Sequence, residues 1–562
     1  MVFNNWTHRI RDIRRMRHIV TILIRYGFGY FVDRMNLSQH FLGKKIIRFR
    51  PIRNLRVFDL PPSMRLRKVL EELGPTFIKF GQILSTRPDI MPVEFCCELE
   101  SLQDKVPAFD FEKVADQVQR ELKRPVDQLF TEFAREPIAA ASLAQAHTAR
   151  LKSGEKVIVK IQRPDIEKTI RTDLDILAEI ARLAEKHIEE SRIYNPVGLV
   201  NEFRQAILWE LDFTREANNV VRFQAQFAGD PTVYIPKIYP ELSSRLILTM
   251  ERVEGIKINN REKIDQAGLN SKKLALNGAN AFLKQIFDHG FFHADPHPGN
   301  LMALSGNRVA FIDFGMVGRI HYETKALLSD ILVGVVDHDI DKIADRFMTM
   351  GVIDETADPK KFDRDIEDFL DRHFVAALKD LKIGQFLVDL LTVVANNRIK
   401  MPADLYLLSK AMVIIEGVGV ELDPDFDMVK LVRPFVRKLV VRRRSPGTVF
   451  KELKKFLEIL YDWALSFPKD LKIVFDKLKK GTLKVEFEHR GLEGLINELD
   501  RVSNRIAFSV IVAGIIIGSS LIIQSDKGPH LFGYPLVGIL GYIIAGLMGF
   551  WLLIAILRSG RL

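Results

Sequence analysis

Cysteine is almost absent: the chain holds two in 562 residues, Cys96 and Cys97, and they are adjacent. With nothing between them they close no loop, which excludes a disulfide framework and fits a reducing compartment. Zinc-finger, recognition-helix and RNA-binding-sheet motifs are also missing, so a net charge of +10 and a pI near 9.3 are not read as a sign of nucleic acid. The basic residues gather instead at 9–17, 44–56 and 433–444 among long apolar residues. That distribution makes anionic membrane lipid the expected partner and nucleic acid an unexpected one. The length is too great for one ordinary core, so several structural units are expected.

Charge is missing altogether from two stretches near the C-terminus, the 18 residues 506–523 and the 27 residues 531–557. At about 1.5 Å per residue these give helices of roughly 27 and 40 Å against a hydrocarbon core of about 30 Å. The polar turn between them contains Asp526, Lys527, Gly528 and Pro529, so a transmembrane hairpin is expected. Arg501 and Arg505 precede the first span, and Arg558 and Arg561 follow the second. This bias places both outer ends, and the large preceding domain, on the cytoplasmic side of a bacterial inner membrane. Gly514 and Gly518, and then Gly541, Ala545 and Gly549, offer smooth faces for close helix approach. At the N-terminus, residues 6–32 mix Arg9, Arg11, Arg14, Arg15 and Arg17 with Ile10, Ile13, Met16, Ile19, Ile22 and Leu23 at helical spacing. The pattern suits a membrane surface or packing on the main domain. A targeting segment would need a clean apolar core and a small-residue cleavage site, and neither is evident.

Residues 291–315 carry the chemistry. Asp295 and Asn300 lie five residues apart, and Asp313 opens Asp-Phe-Gly after the apolar run 309–312. This repeats the spacing of a kinase catalytic loop, its short hairpin and its metal-binding aspartate. Carboxylates on both sides of a tight hairpin, with an amide oxygen, suit Mg²⁺, a hard cation that takes oxygen ligands against nucleotide phosphates. His293, Asp295 and His297 alternate as zinc ligands can, but no third soft ligand is near. Upstream, 150–160 reads as two strands joined at Ser153-Gly154, with Lys160 ending the second, where a kinase places the lysine that holds the α and β phosphates. Its expected partners are phosphate oxygens and a helix carboxylate, with Glu210 and Glu216 the leading choices, so loss of Lys160 is expected to spare the fold.

With these residues in hand the chain resembles the UbiB family, also called AarF or ABC1-type atypical kinases. The resemblance rests on Lys79-Phe-Gly-Gln82, the alanine-rich run Ala139-Ala-Ala-Ser-Leu-Ala-Gln-Ala-His147, Glu210-Leu-Asp212 and the segment His293 to Asn300, and covers roughly 60–430. It implies an α+β, two-lobed kinase-like fold with an N-terminal helical extension and the C-terminal transmembrane hairpin. The divisions expected are a basic amphipathic segment over 1–58, the extension over 59–135, a small lobe over 136–255, a large lobe over 256–430, a basic helical linker over 431–505, and the spans within 506–557. By the same resemblance Lys160 pairs with Glu216 and Lys79 with Glu210. Asp295 is the catalytic-loop aspartate, Asn300 and Asp313 are metal ligands, and Ala139, Ala140, Ala141 and Ser142 form the nucleotide loop.

Two features separate this pattern from an ordinary protein kinase. Alanines are small but less permissive than the glycines of a phosphate-covering loop, which implies a different nucleotide pose and reduced transfer to protein. The helix of Lys79 and Gln82 would occupy space that a peptide needs, and no Ala-Pro-Glu segment or long activation loop follows Gly315. ATP and Mg²⁺ are the expected cofactors, and ATP hydrolysis the expected chemistry. The resemblance adds a role in biosynthesis of ubiquinone or a related isoprenoid quinone, with quinone precursors and quinone-biosynthesis enzymes as partners. The alternatives are a small-molecule or lipid kinase and a nucleotide-regulated lipid-binding scaffold.

Overall fold

The computed structural model describes residues 2–35, 59–87, 90–102, 106–337, 340–350, 352–353, 358–374, 382–443, 492–525, 529–531 and 534–558, with a few single positions between. The chain falls into two units, Met1–Val449 and Phe450–Leu562. The basic segment 44–56, much of the linker over 431–505 and Asp526 to Gly528 lie outside the described residues.

In the first unit, helices α1 (Val2–Arg25) and α2 (Gly29–Arg34) lead to α3 (Pro62–Leu73) and α4 (Pro75–Leu84). Proline opens α3 and α4, where a missing N–H costs nothing, and Gly74, at φ 96°, makes the corner between them. Met16, Ile19, Val20 and Ile22 of α1 are buried with Val69, Leu70 and Leu73 of α3 and Phe77 and Ile78 of α4. The Met16 to Ile22 part of the stripe is therefore inside the protein, and surface already removed from water cannot drive interfacial binding, while Ile13 stays exposed. Arg14, Arg17 and His18 remain exposed. Arg15 turns inward, its Nε 2.7 Å from Asp173 Oδ1 and an Nη 2.7 Å from the Leu73 carbonyl. Asp173, itself buried, also accepts from Thr76 Oγ1 at 2.7 Å, so one carboxylate joins three helices.

Helices α5 (Val93–Glu100) and α6 (Phe111–Leu122) precede a five-stranded antiparallel sheet: β1 (Phe130–Phe133), β2 (Ala139–Ala140), β3 (Ala144–Leu151), β4 (Lys156–Gln162) and, later in the chain, β6 (Ile247–Glu251). The order is β1-β3-β4-β6, with β2 paired to β3. Burial alternates along β3, as a sheet with one covered face requires, and Val114 and Val118 of α6 cover the buried face with Val157, Val159 and Ile161. Between β4 and β6 the chain makes α7 (Ile166–His187), α8 (Pro196–Glu210) and α9 (Phe213–Gln226), then the short strand β5 (Val233–Tyr234). Helices α7 and α8 share the core of α1, α3 and α4, whereas α9 belongs to the core of the following lobe. Thus β1 starts the sheet within the stretch read as helical extension, and two helices of the stretch read as small lobe complete that extension.

The large lobe contains β7 (Ile256–Lys257), α10 (Ser271–Lys284), β8 (Phe291–His293), β9 (Leu301–Leu304), β10 (Arg308–Phe311) and β11 (Val317–Arg319). Five helices, α11 (Tyr322–Asp337), α12 (Ile340–Met350), α13 (Pro359–Phe374), α14 (Ile383–Asn396) and α15 (Ala403–Leu422), give it a largely helical body, and α16 (Met428–Arg443) follows.

In the second unit, α17 (Leu492–Ser525) and α18 (Leu536–Arg558) form a hairpin, joined through a two-strand ladder of β14 (His530–Leu531) and β15 (Tyr534–Pro535). The first unit also holds the short antiparallel pair β12 (Val352–Ile353) with β13 (Ile399–Lys400). Residues 502–525 and 536–553 are long and apolar enough to cross a membrane, and only 6% and 11% of their apolar windows are buried. The glycine pattern is used selectively. A side chain at Gly541 would run into Ser519, and Ala545 is buried, but among the described residues nothing lies within 4 Å of a Cβ built at Gly514, Gly518 or Gly549. Only Gly541 and Ala545 of the expected set line the contact inside the hairpin. Ser520 and Tyr542 add a 2.6 Å hydroxyl pair.

Candidate active site

Strand β4 holds Lys160 through its register with Ala146 on β3 and Leu248 on β6. The strand continues two residues beyond the lysine, so Lys160 lies inside the sheet rather than at its end. Glu216 sits in the first turn of α9, and Asp212 caps that helix by accepting the Thr214 N–H at 3.0 Å. The aspartate of Glu210-Leu-Asp212 thereby fixes where the glutamate helix begins. Lys160 Nζ lies 2.6 Å from Glu216 Oε1 and 3.0 Å from Asp313 Oδ2. One ammonium thus bridges the glutamate helix and the Asp-Phe-Gly segment.

The segment after β10 is fastened from several sides. Asp313 Oδ1 accepts the Gly315 N–H at 3.0 Å, and Asn219 Nδ2 donates to the Phe314 carbonyl at 3.0 Å. Asn219 is one helical turn after Glu216 and therefore on its face, the signal by which sequence reasoning could have found it. Phe314 packs on Phe223 and on the buried ring of His293. Opposite, β8 pairs with β11, placing His293 against Val317. The Asp295 N–H donates to His293 Nδ1 at 3.2 Å, and the His293 N–H donates to Gln285 Oε1 at 2.9 Å. Asn300 Nδ2 donates to the Asp295 carbonyl at 3.1 Å, while the Ile312 N–H donates to the Asn300 carbonyl at 3.1 Å. Asp295, Asn300 and Asp313 are brought together by these backbone ties. His293 lies among Phe223, Phe311 and Phe314, while His297 caps its own turn, so the two imidazoles do not converge as zinc ligands.

Burial opposes the charge on Lys160, but Asp313 and Glu216 more than offset it and hold its pKa above the ordinary lysine value. Burial acts upward on Asp313 as well, yet Lys160 and the Gly315 N–H win and hold that carboxyl well below the usual range. Glu216 shifts the other way, raised by burial that Lys160 only partly offsets. Burial lowers His293. The Asp313 side chain is 44% exposed, so its carboxylate opens to the cleft although Lys160 touches it.

The donor set fits magnesium. Asp313 supplies a carboxylate, and Asn300, whose NH₂ is taken by Asp295, has its amide oxygen left to accept. Among the described residues no group of three His, Cys, Asp or Glu could hold a metal alone.

The remaining expected positions fall in two places. Ala139 and Ala140 form β2, in register with Ala146 and Gln145, and the Ala141 N–H donates to the Ala144 carbonyl at 2.8 Å, so the alanine-rich run is a tight hairpin against the strand that flanks Lys160. Ser142, at its tip, is fully buried, and its Oγ makes no hydrogen bond among the described residues. On α4, Lys79 Nζ lies 2.7 Å from Glu210 Oε1 at the end of α8. Gly81 of the same motif is demanded by packing, since a Cβ there would meet Leu102 and Leu70. Gln82 donates to the Leu102 carbonyl at 3.2 Å.

Three family signatures match the chain: the ABC1 atypical kinase-like domain over 101–347, the UbiB helical domain over 366–427 and the ABC1/UbiB kinase-like C-terminal domain over 490–558. A protein of Clostridium pasteurianum described as an uncharacterized protein in the hydrogenase 1 5′ region is 35% identical, covering 98% of this chain and all of that one. "Probable protein kinase UbiB" of Aliivibrio fischeri is 33% identical over 84% of this chain and 86% of its own length. The protein of the same description from Pseudomonas aeruginosa is 35% identical over 80% and 85%. With its kinase-like lobes and C-terminal apolar hairpin, the chain belongs to the ABC1/UbiB family of atypical kinase-like proteins.

Proposed function

We propose that the protein is a membrane-anchored, ATP-dependent kinase-like enzyme, an ATPase in its main chemistry, that supports biosynthesis of ubiquinone or a related isoprenoid quinone. The observation that carries the reading is Lys160 bridging Glu216 and Asp313, beside the backbone-tied pair Asp295 and Asn300. Lys160 would hold α and β phosphate oxygens, Asn300 and Asp313 would hold magnesium, and the alanine-rich hairpin with Ser142 would cover the nucleotide. Magnesium, when bound, would neutralise charge developing on the β and γ phosphates. Asp295 would orient a water and take its proton as the water oxygen bonds to the γ phosphorus and the bond to ADP breaks. Lys79 with Glu210 would limit access by peptide. The chain after Gly315 enters β11 and then α11 almost at once, which supports a small acceptor or water over a docked protein. The hairpin α17–α18 would hold the first unit at the cytoplasmic face, with anionic lipid and hydrophobic quinone precursors as ligands and quinone-biosynthesis enzymes as recipients.

The test uses the full-length protein in detergent or nanodiscs. Mg-ATP affinity, phosphate release and product identity are measured with and without phenols resembling quinone precursors and anionic lipid. Inorganic phosphate as the main product, raised by phenol and lipid, is expected. Asp313→Asn, which swaps a charged oxygen ligand for a neutral one, should lose magnesium-dependent affinity at least tenfold, roughly the worth of one charged ligand contact. A phosphorylated small molecule as main product would make the protein a small-molecule or lipid kinase, and binding without turnover would make it a scaffold. Unchanged magnesium-dependent affinity in a folded Asp313→Asn protein would overturn the site.

A further inference from the structure

Strand β3 has a cleft face, where Ala146 is in register with Lys160, and a buried face, where Gln145 and His147 lie. The site described above uses the first face. The second carries a polar network that no catalytic role absorbs. Gln145 brackets the backbone of a single residue: its Oε1 accepts the Phe109 N–H at 2.9 Å and its Nε2 donates toward the Phe109 carbonyl at 3.2 Å. The same Nε2 lies 2.9 Å from His147 Nε2, and His147 Nδ1 lies 2.8 Å from the Ala134 carbonyl. A carbonyl only accepts, so Nδ1 carries the proton and Nε2 of the neutral ring accepts from Gln145.

Arg163 completes the arrangement just beyond β4. Its Nη2 donates to the Pro107 carbonyl at 2.6 Å and its Nε to the Ala141 carbonyl at 3.2 Å, while its guanidinium lies 5.4 Å from the Phe109 ring centre. Its backbone N–H donates to the Leu143 carbonyl at 2.8 Å. Pro107 and Phe109 are therefore fastened to the alanine-rich hairpin by Arg163 and to β3 by Gln145. They belong to the chain that leaves the helical layer at Leu102, whose carbonyl is held by Gln82, three residues after Lys79 on α4.

We propose that Arg163 and Gln145 are positioning residues that clamp the alanine-rich hairpin and β3 to the chain that follows α5, which Gln82 of the Lys79 helix holds at Leu102, so that the hairpin is set over the cleft by the helical layer and not by the sheet alone. The proposal rests on the reading of that hairpin as the nucleotide cover. A two-residue strand paired on one side has few bonds of its own, and the Ala141 carbonyl held by a planar, two-pronged donor gains a fixed position. Lysine offers a point charge in place of the fork, so it can reach one carbonyl but not both at once.

The experiment compares Arg163→Ala and Arg163→Lys in the full-length protein by amide hydrogen exchange of 137–145 and by Mg-ATP dissociation constant. In Arg163→Ala, exchange of the hairpin and the dissociation constant should each rise about fivefold, the effect of losing roughly one net hydrogen bond. Exchange within α10 should not change, and Arg163→Lys should recover part of both effects. Hairpin exchange equal to wild type would overturn the clamp, and so would loosened exchange with unaltered affinity in a protein whose Asp313→Asn form has lost binding. If Asp313→Asn keeps its affinity, the nucleotide reading falls instead, and hairpin exchange alone decides the clamp.

Discussion

Replacing Lys160 by alanine tests the core of the site before any ligand is added. The ammonium lies between a Glu216 side chain that is 8% exposed and an Asp313 side chain that is 44% exposed. Deleting one partner of a buried pair costs roughly 3–5 kcal/mol because the other charge is left without compensation. Asp313 can turn to water and the lysine itself is 18% exposed, so the stranded group is Glu216 and about 2–3 kcal/mol applies. For a large domain this lowers the apparent melting temperature by about 5–10 °C. The sequence alone suggested that losing Lys160 would spare the fold; the burial of Glu216 reverses that expectation.

The pH dependence has a definite sign. Burial already raises Glu216 above its ordinary value of 4.5, and without Lys160 nothing of comparable strength pulls it back. A carboxyl whose folded pKa is raised favours the unfolded state above that value and ceases to do so once protonated. The deficit of Lys160→Ala is therefore largest at neutral and alkaline pH and shrinks as pH falls through the folded pKa. Thermal melts of the full-length protein in magnesium-free and nucleotide-free buffer measure it. The double variant Lys160→Ala/Glu216→Ala removes the stranded charge and should recover at least half of the loss at pH 8. A single variant melting within about 1 °C of wild type at pH 8, or a double variant no more stable than the single, would refute the reasoning.

Five further outcomes are expected. Lys79→Ala opens the pair with Glu210 and should permit autophosphorylation, and Ala140→Gly should shift the preference between ATP and ADP; intact-mass measurement and competition binding check these, and no change in either would make both segments packing alone. In the membrane unit, Gly541→Leu drives a side chain into Ser519 and should abolish disulfide crosslinking between cysteines placed at 520 and 542, while truncation after Glu498 should release the protein from carbonate-washed membranes. Burial lowers the pKa of His147, His289 and His293, so the unfolded chain takes up protons below about pH 6.5 that the folded chain resists, and the melting temperature should fall from pH 7 to pH 5. A flat or rising profile would contradict the buried neutral imidazoles.

What the sequence made legible divides along a physical line. Lys160, Asp295, Asn300 and Asp313 could be singled out by counting because they stand at the short fixed separations along strands and turns that phosphate and metal chemistry would require, and Ser153-Gly154 marked a turn where Gly154 does adopt φ 97°. Apolar periodicity carries less information, because it states how much surface a helix must cover and not which neighbour covers it. The stripe of α1 was equally good for lipid or protein, and the pair of half-buried Arg15 with buried Asp173, separated by 158 positions, had no sequence signal that joined them. The membrane glycines show the same limit. All five small residues had suitable spacing, but rotation of α18 against α17 decides which ones meet, and that rotation is fixed by contacts such as Gly541 with Ser519. The helix of Lys79 combines the two cases. Its lysine and its glycine belong to one short motif, yet Gly81 answers to the packing of Leu70 and Leu102 while Lys79 answers to a carboxylate on another helix. Spacing locates such a motif, and only the assembled layers separate the residue that packs from the residue that pairs across helices.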